Sequence, residues 1–241
     1  MDPTRTADEG GRACNEPGPG AISPVMSAFV PLADLVPGAC IGCDVRLPPT
    51  CNDTTLCPAC AAASPLFTPE ERRARGVWAV AAFTGPLAAA YARYKDAGEL
   101  RGLPAFARLL ATAPPLRARG VYDAVTAVPA FAVRRFVRGF DPAGALARAA
   151  VAAAGFDAPW LRGLRRAKRW GRRQRGLRAA ERRRNVQAGF VVRDAAAVAG
   201  ARLLLVDDVV TTGATLAAAR RALLDAGAAA VDRLALFRAD L

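Results

Sequence analysis

Apolar and polar positions alternate in short blocks along this chain, and the blocks carry two different periods. "VWAVAAF" (Val77–Phe83) is a continuous apolar run of strand length. "YDAVTAVP" (Tyr122–Pro129) reads as a strand leading into a loop, and "AGFVV" (Ala188–Val192) as a short strand. Near the C-terminus, Leu203–Val206 is four apolar residues without a break, the pattern of a strand buried on both faces. A helix is expected over Thr215–Ala226, closed by Gly227, and "VDRLALF" (Val231–Phe237) is the next strand. Strand, helix and strand within so short a stretch form a βαβ unit, which predicts a parallel sheet and an α/β fold. Helices are also expected over Gly85–Ala97, Pro104–Ala113 and Asp141–Ala154. Asp141 is placed to cap the last of these, and Pro142 is preset for its first position.

Outside these blocks the pattern breaks. Residues 1–25 are rich in Gly and Pro and have no periodicity, so they are expected to be a disordered tail. Met26 precedes "SAFVPLADLVPG", an ordered-looking start, and is a candidate initiator. A small cysteine module is expected over residues 36–64 and the main α/β domain over 77–241. Residues 64–76, with Pro65 and Pro69 among charges, read as a linker. No apolar run reaches transmembrane length and no secretory signal is evident. The expectation is a cytoplasmic protein without membrane insertion.

Composition changes the picture in two ways. The 241 residues include no histidine. That excludes Ser-His and Cys-His nucleophile pairs and histidine metal sites. Net charge is +13, and Leu161–Arg193 holds thirteen Arg or Lys against one acid, Glu181, so almost all of the excess lies in one segment. Lys95 and Lys168 are the only lysines.

"CIGC" (Cys40, Cys43) and "CPAC" (Cys57, Cys60) are two Cys-x-x-Cys knuckles thirteen residues apart. Each turns two thiolates toward one point, and together they close a four-sulfur shell suited to Zn²⁺ or iron. Four thiolates leave no open position, so the expected role is structural. Cys51, between the knuckles, is a competing ligand, and Cys14 lies in the expected tail.

"LLLVDDVVTTGATLA" (Leu203–Ala217) sets two acids, Asp207 and Asp208, at a strand's carboxyl edge, where α/β proteins bind ligands. Carboxylates there accept hydrogen bonds from vicinal hydroxyls or hold a divalent ion. Thr211, Thr212, Gly213, Ala214 and Thr215 then lead into a helix. Small residues let backbone N–H groups close around an anion, and the helix N-terminus favours negative charge. Acids beside an anion cradle suit a phosphorylated sugar. An acidic strand end followed by a Thr-rich cap is the blander reading, and it leaves the doubled acid and the glycine unexplained.

This stretch resembles the thirteen-residue signature of type I phosphoribosyltransferases. The resemblance implies that Asp207 and Asp208 bind the ribose hydroxyls of phosphoribosyl pyrophosphate (PRPP) at the catalytic centre. It also implies that Thr211–Thr215 bind the 5′-phosphate and that Mg²⁺ bridges the pyrophosphate and ribose oxygens. A Cys₄ module before such a domain resembles the ComF family, named for competence proteins. "YARYKDAG" around Lys95, "VTAVPAFAVRRFVRGF" ending in Arg138, Gly139 and Phe140, and Gln174, Leu177 and "RRRNVQAGF" with Arg182 and Asn185 follow that family's order over about four-fifths of the chain. The likeness implies that Lys95, Arg138 and Gly139 approach the pyrophosphate; Arg134 and Arg135 are weaker candidates. It implies that Arg169–Asn185, with Gln174, Arg182 and Asn185, form a segment that folds over PRPP. After "RGF" the family continues Asn-Gln, whereas this chain has Asp141-Pro142, so any ligand role of that glutamine is absent or taken over elsewhere in the chain.

Two functions follow as expectations. One is Mg²⁺-dependent phosphoribosyl transfer from PRPP to an acceptor that the sequence does not identify. The other is a non-enzymatic role in competence-related DNA uptake. There the surplus arginines would bind single-stranded DNA by neutralising phosphates, with Trp160 and Trp170 stacking bases, alongside competence proteins as partners.

Overall fold

The computed structural model describes residues 38–47, 56–130, 139–166 and 189–239. The first helix, α1 (Pro58–Ala62), starts inside the second cysteine knuckle, with Cys57 as its N-cap and Cys60 in its first turn. Strand β1 (Arg73–Ala74) and strand β2 (Val77–Ala82) then form a hairpin through the two-residue turn Arg75–Gly76. Both turn residues have positive φ, 51° and 71°, the combination that a tight hairpin turn needs. Helix α2 (Gly85–Ala92) runs directly into a π turn at Arg93–Ala97 and stops at Gly98, whose φ is 73°. Helices α3 (Leu103–Ala111) and α4 (Pro114–Arg117) lead to strand β3 (Ala124–Ala127), and helix α5 (Pro142–Ala153) follows. Strands β4 (Leu164–Arg166) and β5 (Phe190–Val192) make a separate antiparallel pair. Strand β6 (Arg202–Val210), helix α6 (Ala214–Asp225) and strand β7 (Ala230–Arg238) complete the order.

The main sheet has five strands in the order β1-β2-β7-β6-β3. β2, β7, β6 and β3 are mutually parallel, and β1 joins the edge antiparallel. The fold is therefore α/β with a mostly parallel sheet, as the βαβ pattern predicts. Side-chain alternation along β6 divides the core. Leu204 and Val206 face a layer with Tyr91, Phe106, Leu110 and Leu146 from α2, α3 and α5. Leu203 and Leu205 face Leu216, Ala219 and Leu223 of α6, together with Leu164 and Phe190 of the small sheet.

The helix boundaries have local causes. Asp141 accepts from Gly144 N at 3.4 Å and Pro142 fills the first turn of α5, as its sequence predicts. After α6, Gly227 N donates to Leu224 O and Ala228 N to Leu223 O, a Schellman stop that the left-handed Gly227 makes possible. Among the described residues no helix is long and apolar enough to cross a membrane.

Three expectations need correction. Residues 64–76 are no linker: Leu66 bridges to Ala81 and Arg73–Ala74 pair with β2, so the segment is stitched to the sheet edge. The strand expected at Leu203–Val206 continues to Val210, because β7 runs alongside it that far. β4 and α4 are additional to the predicted elements.

The cysteine module packs directly on the main sheet's helices. Ser64 Oγ donates to Cys60 O at 2.7 Å and accepts from Leu87 N at 3.0 Å, joining α1 to α2. Gly85, at φ 69°, makes this approach possible, since a Cβ there would stand 2.0 Å from Ala63 O. Gly85→Ala is therefore expected to destabilise the chain by about 2 kcal/mol. Urea unfolding checks this, and a midpoint equal to wild type would remove the steric argument.

Candidate functional site

The site begins with unequal strands. β3 pairs with β6 only as far as Val206, Val128 N makes one further bond to Val206 O, and the chain then leaves at Pro129. β6 runs on, held on its other side by β7, with Asp207 opposite Ala235. Asp207 and Asp208 thus lie inside a strand, one step past the end of its shorter neighbour. They are buried, yet they open into the space that β3 does not fill.

The two acids differ in partners. Asp208 Oδ2 accepts from Tyr91 Oη at 3.1 Å and pairs with Lys95 Nζ at 2.5 Å. Its Oδ1 accepts from Val209 N at 2.8 Å. Asp207 Oδ1 accepts from Asp208 N at 2.9 Å, and no cation pairs with it among the described residues. Burial, and then the neighbouring Asp208 charge, push the Asp207 carboxyl well above the ordinary carboxylate range. The Asp208 N–H and the more distant Lys95 charge pull the other way. Burial and then Asp208 likewise raise the Tyr91 phenol.

Lys95 reaches Asp208 from the π turn. A π turn is rare in helices and frequently marks a functional position. Tyr91 lies four residues before Lys95, a spacing visible in the sequence that puts both on one side of the helix. Asp141, the α5 cap, and Arg166 also border the cavity of about 100 Å³ in front of the acids. Arg166 donates to Pro129 O at 2.8 Å and lies over the Phe190 ring at 4.8 Å. Nothing in the sequence distinguished it from the other arginines of its segment.

The threonine loop follows β6. Gly213 turns the chain at φ 78° into α6, and Thr212 Oγ1 accepts from Ala214 N at 3.4 Å. Thr211, Thr212, Ala214 and Thr215 are exposed. A small hollow lined by Asp207 and Thr211–Leu216 puts the loop and one acid on the same space. The first amides of α6 point out of the helix end, where an anion is favoured. The structure thus brings Lys95, Asp207, Asp208 and Thr211–Thr215 together. Gly139, at φ 74°, lies two residues before Asp141. Arg134, Arg135, Arg138, Trp170, Gln174, Arg182 and Asn185 lie outside the described residues, as do Cys14, Met26 and Cys51. Trp160 is half-buried with Arg148 over its ring at 5.2 Å, a packing role.

The four cysteines form a second centre. The sulfurs of Cys40, Cys43, Cys57 and Cys60 lie within 4.8 Å of one another and could hold a metal ion. Sulfurs at a metal–sulfur distance of about 2.3 Å on a tetrahedron stand about 3.8 Å apart. Cys43 and Cys57 are 3.7 Å apart. Gly42 N and Cys57 N donate to Cys40 Sγ at 3.3 and 3.2 Å. Burial works against the Cys40 thiolate, but N–H donors from Cys57, Cys43 and Gly42 outweigh it and bring its pKa down to about 7.

Residues 139–239 match the family model described as phosphoribosyl transferase domain. Two solved structures are similar. One is described as the allosteric regulatory enzyme of purine biosynthesis, at 23% identity and TM-score 0.36, over 55% of this chain and 24% of the other. The second is glutamine PRPP amidotransferase from B. subtilis with ADP and GMP, at 25% identity and TM-score 0.35, over 54% of this chain and 25% of the other. This chain thus spans about a quarter of the length of either. No curated protein matches. The stretch similar to the phosphoribosyl transferase domain is thus the one that holds both acids and the whole threonine loop.

Proposed function

We propose that the protein binds PRPP with Mg²⁺ and transfers its phosphoribosyl group to an acceptor, as a ComF-type member of the type I phosphoribosyltransferases. The observation that carries this reading is the meeting of two buried acids with a Thr/Gly loop at a helix N-terminus, within the matched segment. Asp207 and Asp208 hold the ribose diol, and the loop amides and threonine hydroxyls hold the 5′-phosphate. Lys95 and Gly139, with Arg138, face the pyrophosphate. Arg166 borders the same cavity and adds positive charge for it. In the transfer, the bond from ribose C1 to a pyrophosphate oxygen breaks and its electron pair leaves with pyrophosphate. A bond from C1 to the acceptor forms. Two carboxylates are hard oxygen donors of the kind Mg²⁺ takes, and Asp207, buried with no cation paired to it among the described residues, fits such an ion. When bound, Mg²⁺ supplies charge neutralisation on the leaving pyrophosphate. Zn²⁺ is assigned to the four thiolates as a structural ion.

The test is incubation of the purified protein with PRPP, Mg²⁺ and a panel of nucleobases, following pyrophosphate release, with PRPP binding measured separately. Saturable Mg²⁺-dependent PRPP binding with pyrophosphate release is the expected result. Absence of PRPP binding would overturn the site, and binding without turnover would remove transfer to those acceptors.

A second reading rests on the basic segment of the sequence. β4 and β5 pair Arg166 with Phe190, and Arg166 borders the cavity in front of the acids, so the described residues flanking 167–188 lie at that cavity. The segment's arginines suit single-stranded DNA and a role in competence. Changing Arg172, Arg173 and Arg175 to Ala should weaken DNA binding and flatten its salt dependence; unchanged binding would count against this reading.

A further inference from the structure

We infer that the cleft on the far side of the threonine loop is a second ligand site, for a small molecule carrying two or more phosphate groups. The cleft has a volume of about 850 Å³, within the range of small-molecule sites. One wall is Thr211–Ala214; another is the β1–β2 hairpin with Phe67 and Glu71 before it. Neither acid of the pair lines it.

Its chemistry is set by four arginines. Arg73 and Arg75 come from the hairpin, and Arg233 and Arg238 from β7. Glu71 is the single acid among the lining residues, and its carboxylate already accepts from Thr68 N. None of the four guanidinium groups has a carboxylate partner among the described residues. Arg233 and Arg238 each donate to one carbonyl, of Arg75 and Glu71 respectively. A guanidinium has five N–H donors, so most remain available. Burial, and then the charges of Arg220 and Arg73, lower the Arg233 pKa, against the pull of the nearby Asp232 carboxylate.

The backbone is shaped to keep these charges together. Arg75 stands at φ 51°, a left-handed conformation that Asn or Gly would take more readily. Gly76 beside it leaves room for Arg233, whose guanidinium nitrogen would lie 2.7 Å from a Cβ there.

Sheet register spaces the charges. Arg233 pairs with Val77 at the hairpin end, and Arg238 pairs with Val210 at the threonine loop. Five residues along a strand span about 16 Å. The Arg238 guanidinium reaches back to Glu71 O and lies 4.0 Å over the Phe67 ring, so a phosphate-bearing ligand meets Arg73, Arg75 and Arg233 at the hairpin with Arg238 beside Phe67. Phosphate is the anion of choice, because the guanidinium fork binds its oxygens in pairs. The shared loop places this ligand against the back of the proposed PRPP cradle.

The experiment is calorimetric titration of the full chain with inorganic tripolyphosphate at low salt without added Mg²⁺. One saturable site is expected in wild type, in Asp207→Asn, and in the chain with Arg172, Arg173 and Arg175 changed to Ala. Arg73→Ala with Arg233→Ala should weaken it about tenfold or more, the loss of charge-assisted hydrogen bonds. Arg75→Ala, on an exposed turn, should weaken it about threefold and serves if the double variant does not fold. No saturable binding by wild type, or wild-type affinity in the hairpin variants, would overturn the proposal. Mg²⁺-dependent PRPP titration of the same proteins reads the acid site separately, so failure at one site is distinguishable from failure at the other.

Discussion

Asp207→Asn is expected to lower Mg²⁺-dependent PRPP affinity about a hundredfold or more while making the unliganded chain more stable. The affinity loss follows from removing a buried charged acceptor from the site. The gain in stability follows from the direction of the Asp207 pKa. Its folded value is raised well above the ordinary 3.8, by burial first and by Asp208 second. Below the ordinary value, folded and unfolded chains both hold the proton and the group has no effect. Above it the unfolded chain loses the proton more readily, so stability falls with rising pH until the folded value is passed. The full cost is then present at higher pH. Asparagine has no charge to bury, and the expected gain is about 1–2 kcal/mol. Asp208→Asn should behave differently. It deprives Lys95 of its counter-ion and leaves Tyr91 a weaker acceptor, so stability should fall by about 1 kcal/mol. Urea unfolding of both variants at two pH values, with PRPP titration, checks the pair. Equal destabilisation by the two changes would show that Asp207 is not the acid under strain.

Cys60→Ser is expected to release the metal and to weaken PRPP binding, although Cys60 is remote from the acids in sequence. Cys60 is buried, and Gly42 packs so closely on its sulfur that a Cβ would stand 2.9 Å away. Loss of the fourth ligand should destabilise the chain by about 3 kcal/mol or more, since metal binding in such modules is folding energy. The effect reaches the acids through two contacts. Arg93, in the π turn, donates to Ile41 O, and Arg101, just beyond it, pairs with Asp44. Lys95 stands between those anchors. Metal content by mass spectrometry should fall from one equivalent toward zero, and PRPP affinity about tenfold. A variant that keeps its metal would end the four-thiolate assignment. One that loses metal at wild-type PRPP affinity would sever the link to Lys95.

How far the sequence could be read depended on whether a feature was local. The parallel sheet was legible because Leu203–Val206 and Val231–Phe237 carry it in unbroken apolar runs. The Asp141–Pro142 helix start and the Gly227 stop were legible because capping is local chemistry. The end of β6 was not: charge at Asp207 looks like a terminus, yet its ladder is decided by β7, a partner invisible from the segment itself. Likewise Pro65, Pro69 and the charges of 64–76 describe a linker until the edge of β2 supplies their hydrogen bonds. β4 was hidden because Leu164 is its single apolar residue. Within the site, the acids and loop were legible as a contiguous motif. The Lys95–Asp208 pair joins residues more than a hundred positions apart, Arg166 enters only through packing, and Tyr91 shows only in its four-residue spacing from Lys95.

The step in the sheet, where β6 outlasts β3, has a consequence for how such a protein can change. The acids owe their position to β7 and to the helix that carries Lys95. Among the described residues, the connection after β3 supplies no ladder bond to either acid. Exchanges at Pro129 or Ala130 should therefore leave the acids' hydrogen bonds in place. The ledge separates the half of the site held by the sheet from the half brought by the connection after β3, so changes at Pro129 or Ala130 alter what meets the acids without moving the acids themselves.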